Sequence, residues 1–323
     1  MSAPASLVIS LDLELQWGIL DQPWATRYTE NIRGVHAAVP RMLRTFATFD
    51  VRATWATVGL VFARTRDELL GWLPERRPRY RHSSYSHLNE IGEDERSDPL
   101  HYGGSLVARI RDTGSHEIAT HTFSHYLCHE ADQTLEDFEA DIGTAVAVAM
   151  SYDVTLKSIV FPRNQVAPEY FGVLQRHGIR NYRGGVISDQ VAAGGGQLRH
   201  AATRARRLLD TYLPLTHKRP LQAVSHPSGM TNVPASRFLR PYSPRTEKLE
   251  GLRLARIRDE MTAVAREGGI YHLWWHPHNF GTHLADNIAF LERVLEHFDH
   301  LRARHGMQSL TMAQAAEEPS LQR

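Results

Sequence analysis

The chain has 323 residues, 42% of them hydrophobic, and its 37 Lys and Arg against 36 Asp and Glu leave a formal net charge of +1. That balance excludes a general electrostatic pull toward nucleic acid or an anionic membrane surface, and no run approaches the ~18 uninterrupted apolar residues of a spanning helix. The single cysteine, Cys128, excludes an internal disulfide, so nothing demands an oxidising compartment.

The opening segment, MSAPASLVISLDLE, lacks a basic n-region and meets Asp12 after a short apolar run. It does not read as a signal peptide, so a cytoplasmic protein is expected. Residues 6–13 form a short, β-prone apolar run and predict a buried strand. Helical spacing of Ile32, Val35, Val39, Leu43 and Phe46 predicts a helix over 31–48. A second strand follows at 51–58, then a helix near 60–72. The stretch 75–100, PERRPRYRHSSYSHLNEIGEDERSDP with its flanks, is too long and polar for an ordinary connection and is expected to be an insertion or lid.

From there strands and helices alternate. Strands are predicted at 116–120, 157–161, 179–183 and 269–275. Helices are predicted at 103–112, 134–152, 167–177, 245–267 and 284–304, with a basic helix (QLRHAATRARRLLD) after Gly194, Gly195 and Gly196. Such alternation implies an α/β fold with a mainly parallel sheet covered by helices. In these folds catalytic groups sit at the C-terminal ends of the strands.

The sequence loads those ends. Strand 6–13 ends in Asp12 and Glu14; strand 116–120 is followed by His121 and His125; strand 157–161 by Pro162, Arg163 and Asn164; strand 269–275 by His276, Pro277 and His278. Asp12 and Glu14, two apart, leave an extended chain on one face, where two buried carboxylates need a cation. The H-x-x-x-H spacing allows two imidazoles to hold one ion if it lies on a helical turn. With 19 His in the chain, three pairs have that spacing, 121/125, 125/129 and 272/276, and the last lies largely on a strand. Trp274 and Trp275 beside His276 suit either a sugar-binding wall or packing. Cys128, near the His pair, reads as a buried thiol, with a fourth ligand or a redox role as alternatives.

The segments LVISLDLELQWG, VRATWATVG, GSHEIATHTFSH, SIVFPRN and YHLWWHPHN, and the closing TMAQAAEE, resemble in order and spacing the polysaccharide deacetylase (NodB-homology, carbohydrate esterase) family over about residues 5–315. HTFSHYLC followed by FPRNQ is similar to the deacetylases of bacterial surface-polysaccharide and O-antigen biosynthesis. The resemblance implies a distorted (β/α) barrel, a single catalytic domain over 1–323, and one divalent ion, Zn²⁺, on Glu14, His121 and His125, leaving His129 outside. The family's first motif usually carries two adjacent aspartates. Here it is Asp-x-Glu, which places the base on Asp12 and the ligand on Glu14 but leaves the order of the two roles open. Arg163 falls where an arginine pairs with the base, and His276 where a general acid stands, with His278 its rival.

The implied reaction is metal-dependent removal of an N-acyl group, acetyl or formyl, from an amino sugar. Trp17, Trp274, Trp275 and His278 would face the sugar. The Tyr, Arg and His of 75–100 suit an intracellular, nucleotide- or lipid-linked glycan precursor. Two other readings stand beside this one: hydrolysis of a small non-sugar amide or cyclic imide, and a non-catalytic glycan-binding barrel.

Overall fold

The computed structural model describes residues 4–22, 24–78, 80, 83–185 and 220–317; the basic segment expected to be helical after Gly196 lies outside them. The first strand, β1 (Ala5–Leu13), is buried along its whole length. Around it stand β2 (Thr54–Thr57), β3 (Glu117–Thr120), β4 (Ser158–Ile159), β5 (Asn181–Tyr182), β6 (Val224–Ser225), β7 (Thr231–Asn232), β8 (Arg237–Phe238), β9 (Gly269–Trp275) and β10 (Gln308–Leu310). The sheet order is β6-β7-β5-β4-β3-β2-β1-β9-β8, with β10 also on β1. Every pairing is parallel except β6 with β7. β1 is the centre: β9 runs along one edge from Ala5 to Leu11, while β10 and β2 share the other, at Ser6–Val8 and Ser10–Leu13.

Side-chain alternation sorts the strands into two faces. Val8, Ala56, Ala119, Val160, Ile270 and Leu310 pack together as an inner cluster on the concave side. Leu7, Ile9, Leu11, Leu13, Trp55, Ile118, Tyr271, Leu273 and Trp275 belong to the larger outer core, shared with helices α2 (Val35–Thr48), α5 (Leu135–Ser151), α7 (Glu250–Glu267) and α8 (Leu284–His305). Smaller helices are α1 (Thr29–Arg33), α3 (Arg66–Gly71), α4 (Gly104–Asp112), α6 (Phe171–Arg176) and α9 (Met312–Glu317). The sheet curls: Arg183, just past β5, contacts Asp12 on β1 at 2.7 Å. Four strand spacings of about 4.8 Å would separate those strands in a flat sheet. This is a distorted (β/α) barrel, as expected.

The same alternation separates two neighbouring tryptophans. Trp274, in register with Ser10, faces the interior, whereas Trp275, in register with Leu11, is fully buried outside, 6.4 Å from Phe46 and stacked on Phe280. Trp17 is also buried, in a short 3₁₀ turn (Leu15–Gly18), its indole N–H donating to the His101 carbonyl at 2.7 Å. Neither Trp17 nor Trp275 can face a sugar, which corrects the expectation from their place in the motifs. Both are there for packing.

The long stretch at 75–100 is laced to its surroundings at both ends. Arg76 pairs with Asp137 at 2.6 Å, the Tyr80 hydroxyl accepts from the Leu127 N–H, and Ser84 Oγ donates to the Ser124 carbonyl. At the far end the Gln16 N–H donates to the Leu100 carbonyl and Trp17 to that of His101. It therefore straps the loop after β3 to the loop after β1.

Removing Trp275 opens a large void, and Trp275→Ala is expected to cost about 3–5 kcal/mol. Trp274→Ala should cost less than half of that. Denaturant titration of the two variants checks the assignment of faces; equal losses would contradict it.

Candidate active site

Every side chain of the site leaves from the C-terminal end of a strand. Asp12, next to last in β1, and Glu14, just past it, are 2% and 5% exposed. Arg183 follows β5 and meets Asp12 with two parallel hydrogen bonds, Nη1 to Oδ1 and Nη2 to Oδ2, both 2.7 Å. The second N–H of Nη1 reaches Ser10 Oγ at 3.0 Å and that of Nη2 reaches Asn164 Oδ1 at 3.0 Å, and the guanidinium lies 4.2 Å from the centre of the Trp274 ring. Ser10 in turn contacts His272 Nε2 at 2.8 Å. Burial alone would raise the Asp12 pKa, but Arg183, then His121 and His276, outweigh it and hold the carboxyl below its usual range.

Arg163 does not pair with Asp12. It follows Pro162 with a left-handed backbone (φ 54), and its guanidinium contacts Asp21 in the loop after β1. The partner of Asp12 is Arg183 instead, which sequence reasoning missed. The available signal was positional: Arg183 also ends a predicted strand, but that strand is short and no neighbouring motif marks it.

Glu14 and the two histidines converge. Glu14 Oε2 is 3.4 Å from His121 Nε2 and 3.3 Å from His125 Nε2. All three residues are buried, and their donor atoms lie within 4.8 Å of one another. His121 Nδ1 contacts the Val160 carbonyl at 2.7 Å, which fixes the ring with Nε2 toward Glu14. One carboxylate and two imidazoles match the donor chemistry of a divalent-metal site with open positions. Burial raises the Glu14 pKa, but His276, His121 and His125 together more than reverse this and hold it well below the ordinary range.

The two histidines do not sit on a helical turn. They lie in an irregular loop in which Thr122 and His125 have φ of 63° and 56°. Asp141, from α5, holds this loop: its carboxylate accepts from the Phe123 N–H (2.7 Å), the Ser124 N–H (3.1 Å) and Ser124 Oγ (2.5 Å). Burial pushes the Asp141 pKa up to about 6 against these hydrogen bonds.

His276 has its Nε2 3.6 Å from Glu14 Oε1 and 3.8 Å from Asp12 Oδ2, and its side chain is 24% exposed. The pairing of Ser10 with Trp274 continues the line to Asp12 and His276, so register places this histidine beside Asp12. His278 lies behind it, stacked at 4.8 Å, with Tyr28 at its edge and its side chain only 6% exposed. Burial and then His276 lower its pKa to about 3. It is therefore neutral near pH 7 and closed to substrate, so it backs His276 rather than binding a sugar. Cys128 is buried among apolar groups, and burial pushes its thiol pKa up.

No family model and no curated protein matches the chain. Solved structures do. A Mycobacterium smegmatis protein described as a polysaccharide deacetylase is 15% identical with a TM-score of 0.60, the match covering 100% of this chain and 98% of that one. A 4-alpha-glucanotransferase from Thermococcus litoralis (13% identity, TM-score 0.57) matches over 98% of this chain and 41% of its own. A GH57-type branching enzyme from Pyrococcus horikoshii (12%, TM-score 0.57) matches over 99% and 71%. These likenesses show the fold, a distorted (β/α) barrel shared with all three proteins.

Two predictions follow from the geometry around the ligands. A Cβ on Gly18 would stand 2.1 Å from Glu14 Cδ. Gly18→Ala is therefore expected to weaken divalent-metal binding by about tenfold or more with little change in Tm. Unchanged affinity in a metal titration would remove Glu14 from the ligand set. The second concerns Asp141. Its native pKa, about 6, exceeds the unfolded value of about 3.9. The native state thus binds the extra proton between those pH values, and stability from this group is lost as pH rises through the window. Asp141→Asn should remove that slope, worth at most about 3 kcal/mol. A Tm difference between variant and parent that stays constant from pH 4.5 to 6.5 would contradict it.

Proposed function

We propose that this protein is a metal-dependent amide hydrolase that removes an N-acyl group, most simply acetyl, from an amino sugar. The observation that carries the reading is the meeting of two units at one mouth: a buried Glu14, His121 and His125 trio beside the Asp12–Arg183 pair, with His276 between them. The likeness of fold to a protein described as a polysaccharide deacetylase supports it.

An amide is a poor electrophile with a poor leaving group, so its hydrolysis needs an activated water and a proton for nitrogen. A divalent ion on the trio, Zn²⁺ being the natural choice for a Glu and two His, would polarise the acyl carbonyl and acidify water. Asp12 takes the proton from the attacking water, and Arg183 keeps Asp12 ionised and fixes both of its oxygens. His276, open to the cleft, gives a proton to the departing amine nitrogen. Trp274, on the interior face and stacked on Arg183, lines the same side. The absence of charge bias, and of any described helix able to cross a membrane, suits a carbohydrate substrate, nucleotide- or lipid-linked if its anionic part meets local arginines.

The glucan-transferring relatives in fold raise glycosidic-bond chemistry as the rival. That chemistry keeps one carboxyl protonated to serve as acid. Here Arg183 meets both oxygens of Asp12 and Glu14 sits against two imidazoles, an arrangement that favours two carboxylates over one carboxylate and one acid.

Purified protein is expected to bind one divalent ion per chain, lost in the His121→Ala, His125→Ala double variant, and to release acetate from N-acetylated hexosamines. Asp12→Asn should keep the metal and lower kcat by about 10² or more. Arg183→Met should move the acid limb of the kcat/KM profile to higher pH, because burial alone raises the Asp12 pKa. Metal retained by the double variant, or an acid limb that stays in place in Arg183→Met, would sink the assignment of roles.

A further inference from the structure

Behind the Asp12–Arg183 pair the barrel interior holds two polar side chains that the chemistry above does not use. Ser10 lies two residues before Asp12 on the same face of β1, and His272 lies on β9; both are fully buried. Ser10 Oγ is 2.8 Å from His272 Nε2 and 3.0 Å from Arg183 Nη1, and His272 Nδ1 is 3.2 Å from the Val233 carbonyl. Val233 lies between β7 and β8, in a segment that crosses from β5 to β9. That segment also holds the backbone beside both side chains. The Ala235 N–H donates to the carbonyl of Gly184, next to Arg183, and the Ser236 N–H donates to that of His272, both at 2.9 Å.

The supply of donors and acceptors fixes the direction of each bond. An arginine has only donors, and a carbonyl only accepts. Ser10 Oγ therefore accepts from Nη1, and the Val233 carbonyl accepts from Nδ1. Burial, and then Arg183, lower the His272 pKa to about 3, so the ring is neutral near pH 7 and its one proton sits on Nδ1. Nε2 is left as an acceptor for the Ser10 hydroxyl. The bonds thus run one way, from Arg183 through Ser10 and His272 to Val233.

We infer that Ser10 and His272 are positioning residues, a buried hydrogen-bond chain that holds the Arg183 fork square to Asp12 without taking its charge. The fork needs such a support. It meets Asp12 end-on, with its Nη hydrogens shared among Asp12, Ser10 and Asn164, while Nε has no partner among the described residues. The angle between guanidinium and carboxylate is therefore set by the acceptors on either side, and Ser10 is the one at Nη1. A second carboxylate in that place would compete with Asp12 for the guanidinium, whereas a hydroxyl backed by a neutral imidazole leaves the whole charge to Asp12. The effect on turnover rests on the amide-hydrolase reading; the effect on Arg183 rests on geometry alone.

The test uses the metal-loaded full chain, N-acetylated hexosamines as substrates, and nitrogen NMR of the guanidinium and imidazole groups, assigned with Arg183→Met and His272→Gln. In the parent protein the Nη hydrogens of Arg183 are expected as separate signals, and His272 as the tautomer protonated on Nδ1. Ser10→Ala should merge the Nη signals through faster rotation and lower kcat about tenfold, with KM and metal content unchanged. Ser10→Thr, which keeps the hydroxyl, should restore both. His272→Leu should act in the same direction but add nothing in a Ser10→Ala background, because members of one chain are not additive. His272→Gln, which keeps an acceptor, should be milder. Nη signals that stay separate in Ser10→Ala, or effects of the two variants that multiply, would overturn the chain. So would a lowered Tm with kcat and the Nη signals intact, since the two residues would then serve packing alone. No acetate release by the parent would defeat the amide-hydrolase reading, and the Nη signals would still decide for or against the chain.

Discussion

The Asp12–Arg183 pair is the interaction on which the rest of the structure depends. Both side chains are almost wholly buried, at 3% and 1% exposed, and each would be untenable there without the other. Losing one partner of such a pair typically costs about 3–5 kcal/mol, because the survivor is left as an uncompensated charge. The pair also ties β5 to β1 across the interior. It therefore bridges the curled sheet and favours the ionised form of Asp12 at once. Ser10, Asn164 and the face of Trp274 take up further faces of the guanidinium, so its orientation is fixed from several strands at once. Arginine suits this place better than lysine, since only a planar fork can meet both carboxylate oxygens and still reach two other acceptors.

A second constraint is the crowding of ionisable groups at one end of the barrel. Asp12, Glu14, His121, His125 and His276 share a small volume, and the backbone that presents them is bent accordingly. Leu15, Thr122, His125, Arg163 and Asn164, all just past strand ends, have positive φ. Non-glycine residues adopt that conformation only when surrounding structure over-determines it, and such positions gather at functional sites. Asp141 and the strap from 75 to 100 are the means here. One binds the His121–His125 loop from beneath and the other ties it from outside to the turn that carries Glu14. Precision at the ligands is supplied by residues that never touch them.

Much of this was legible in the sequence because strand ends are easy to find. An apolar run followed by charged residues gives both the strand and the place of its side chains, and this located Asp12, Glu14, His121, His125, Arg163 and His276 at one mouth. What proximity alone could not give was direction. Arg163 and Arg183 both follow strands; the first turns outward at a left-handed residue after Pro162, and only the curl of the sheet brings the second to Asp12. The tryptophans show the same limit. Period-two alternation could have separated Trp274 from Trp275, since Leu273 and Tyr271 mark the outer face, but motif proximity grouped them. Trp17 lies beyond the strand, where alternation no longer applies. The helix expected over 31–48 is two helices broken at Gly34, a join that hydrophobic spacing passes over.

The central place of β1 has a consequence for how the molecule comes into being during synthesis. This strand is made before every strand it pairs with, yet one edge is completed only by β9, where Ala5 pairs with Gly269, and part of the other only by β10, where Ser6 pairs with Gln308. Pairings so distant in sequence form slowly, because a long loop must close before any contact rewards it. Until then a nascent chain exposes a nine-residue apolar strand with open edges, the kind of segment that invites association with other chains. Glu14, His121 and His125 are all translated well before His276. The growing polypeptide thus passes through a stage at which it holds Glu14, His121 and His125 but lacks His276. Occupation of the trio at that stage would help hold β1 against β3 while the remaining strands are still being made.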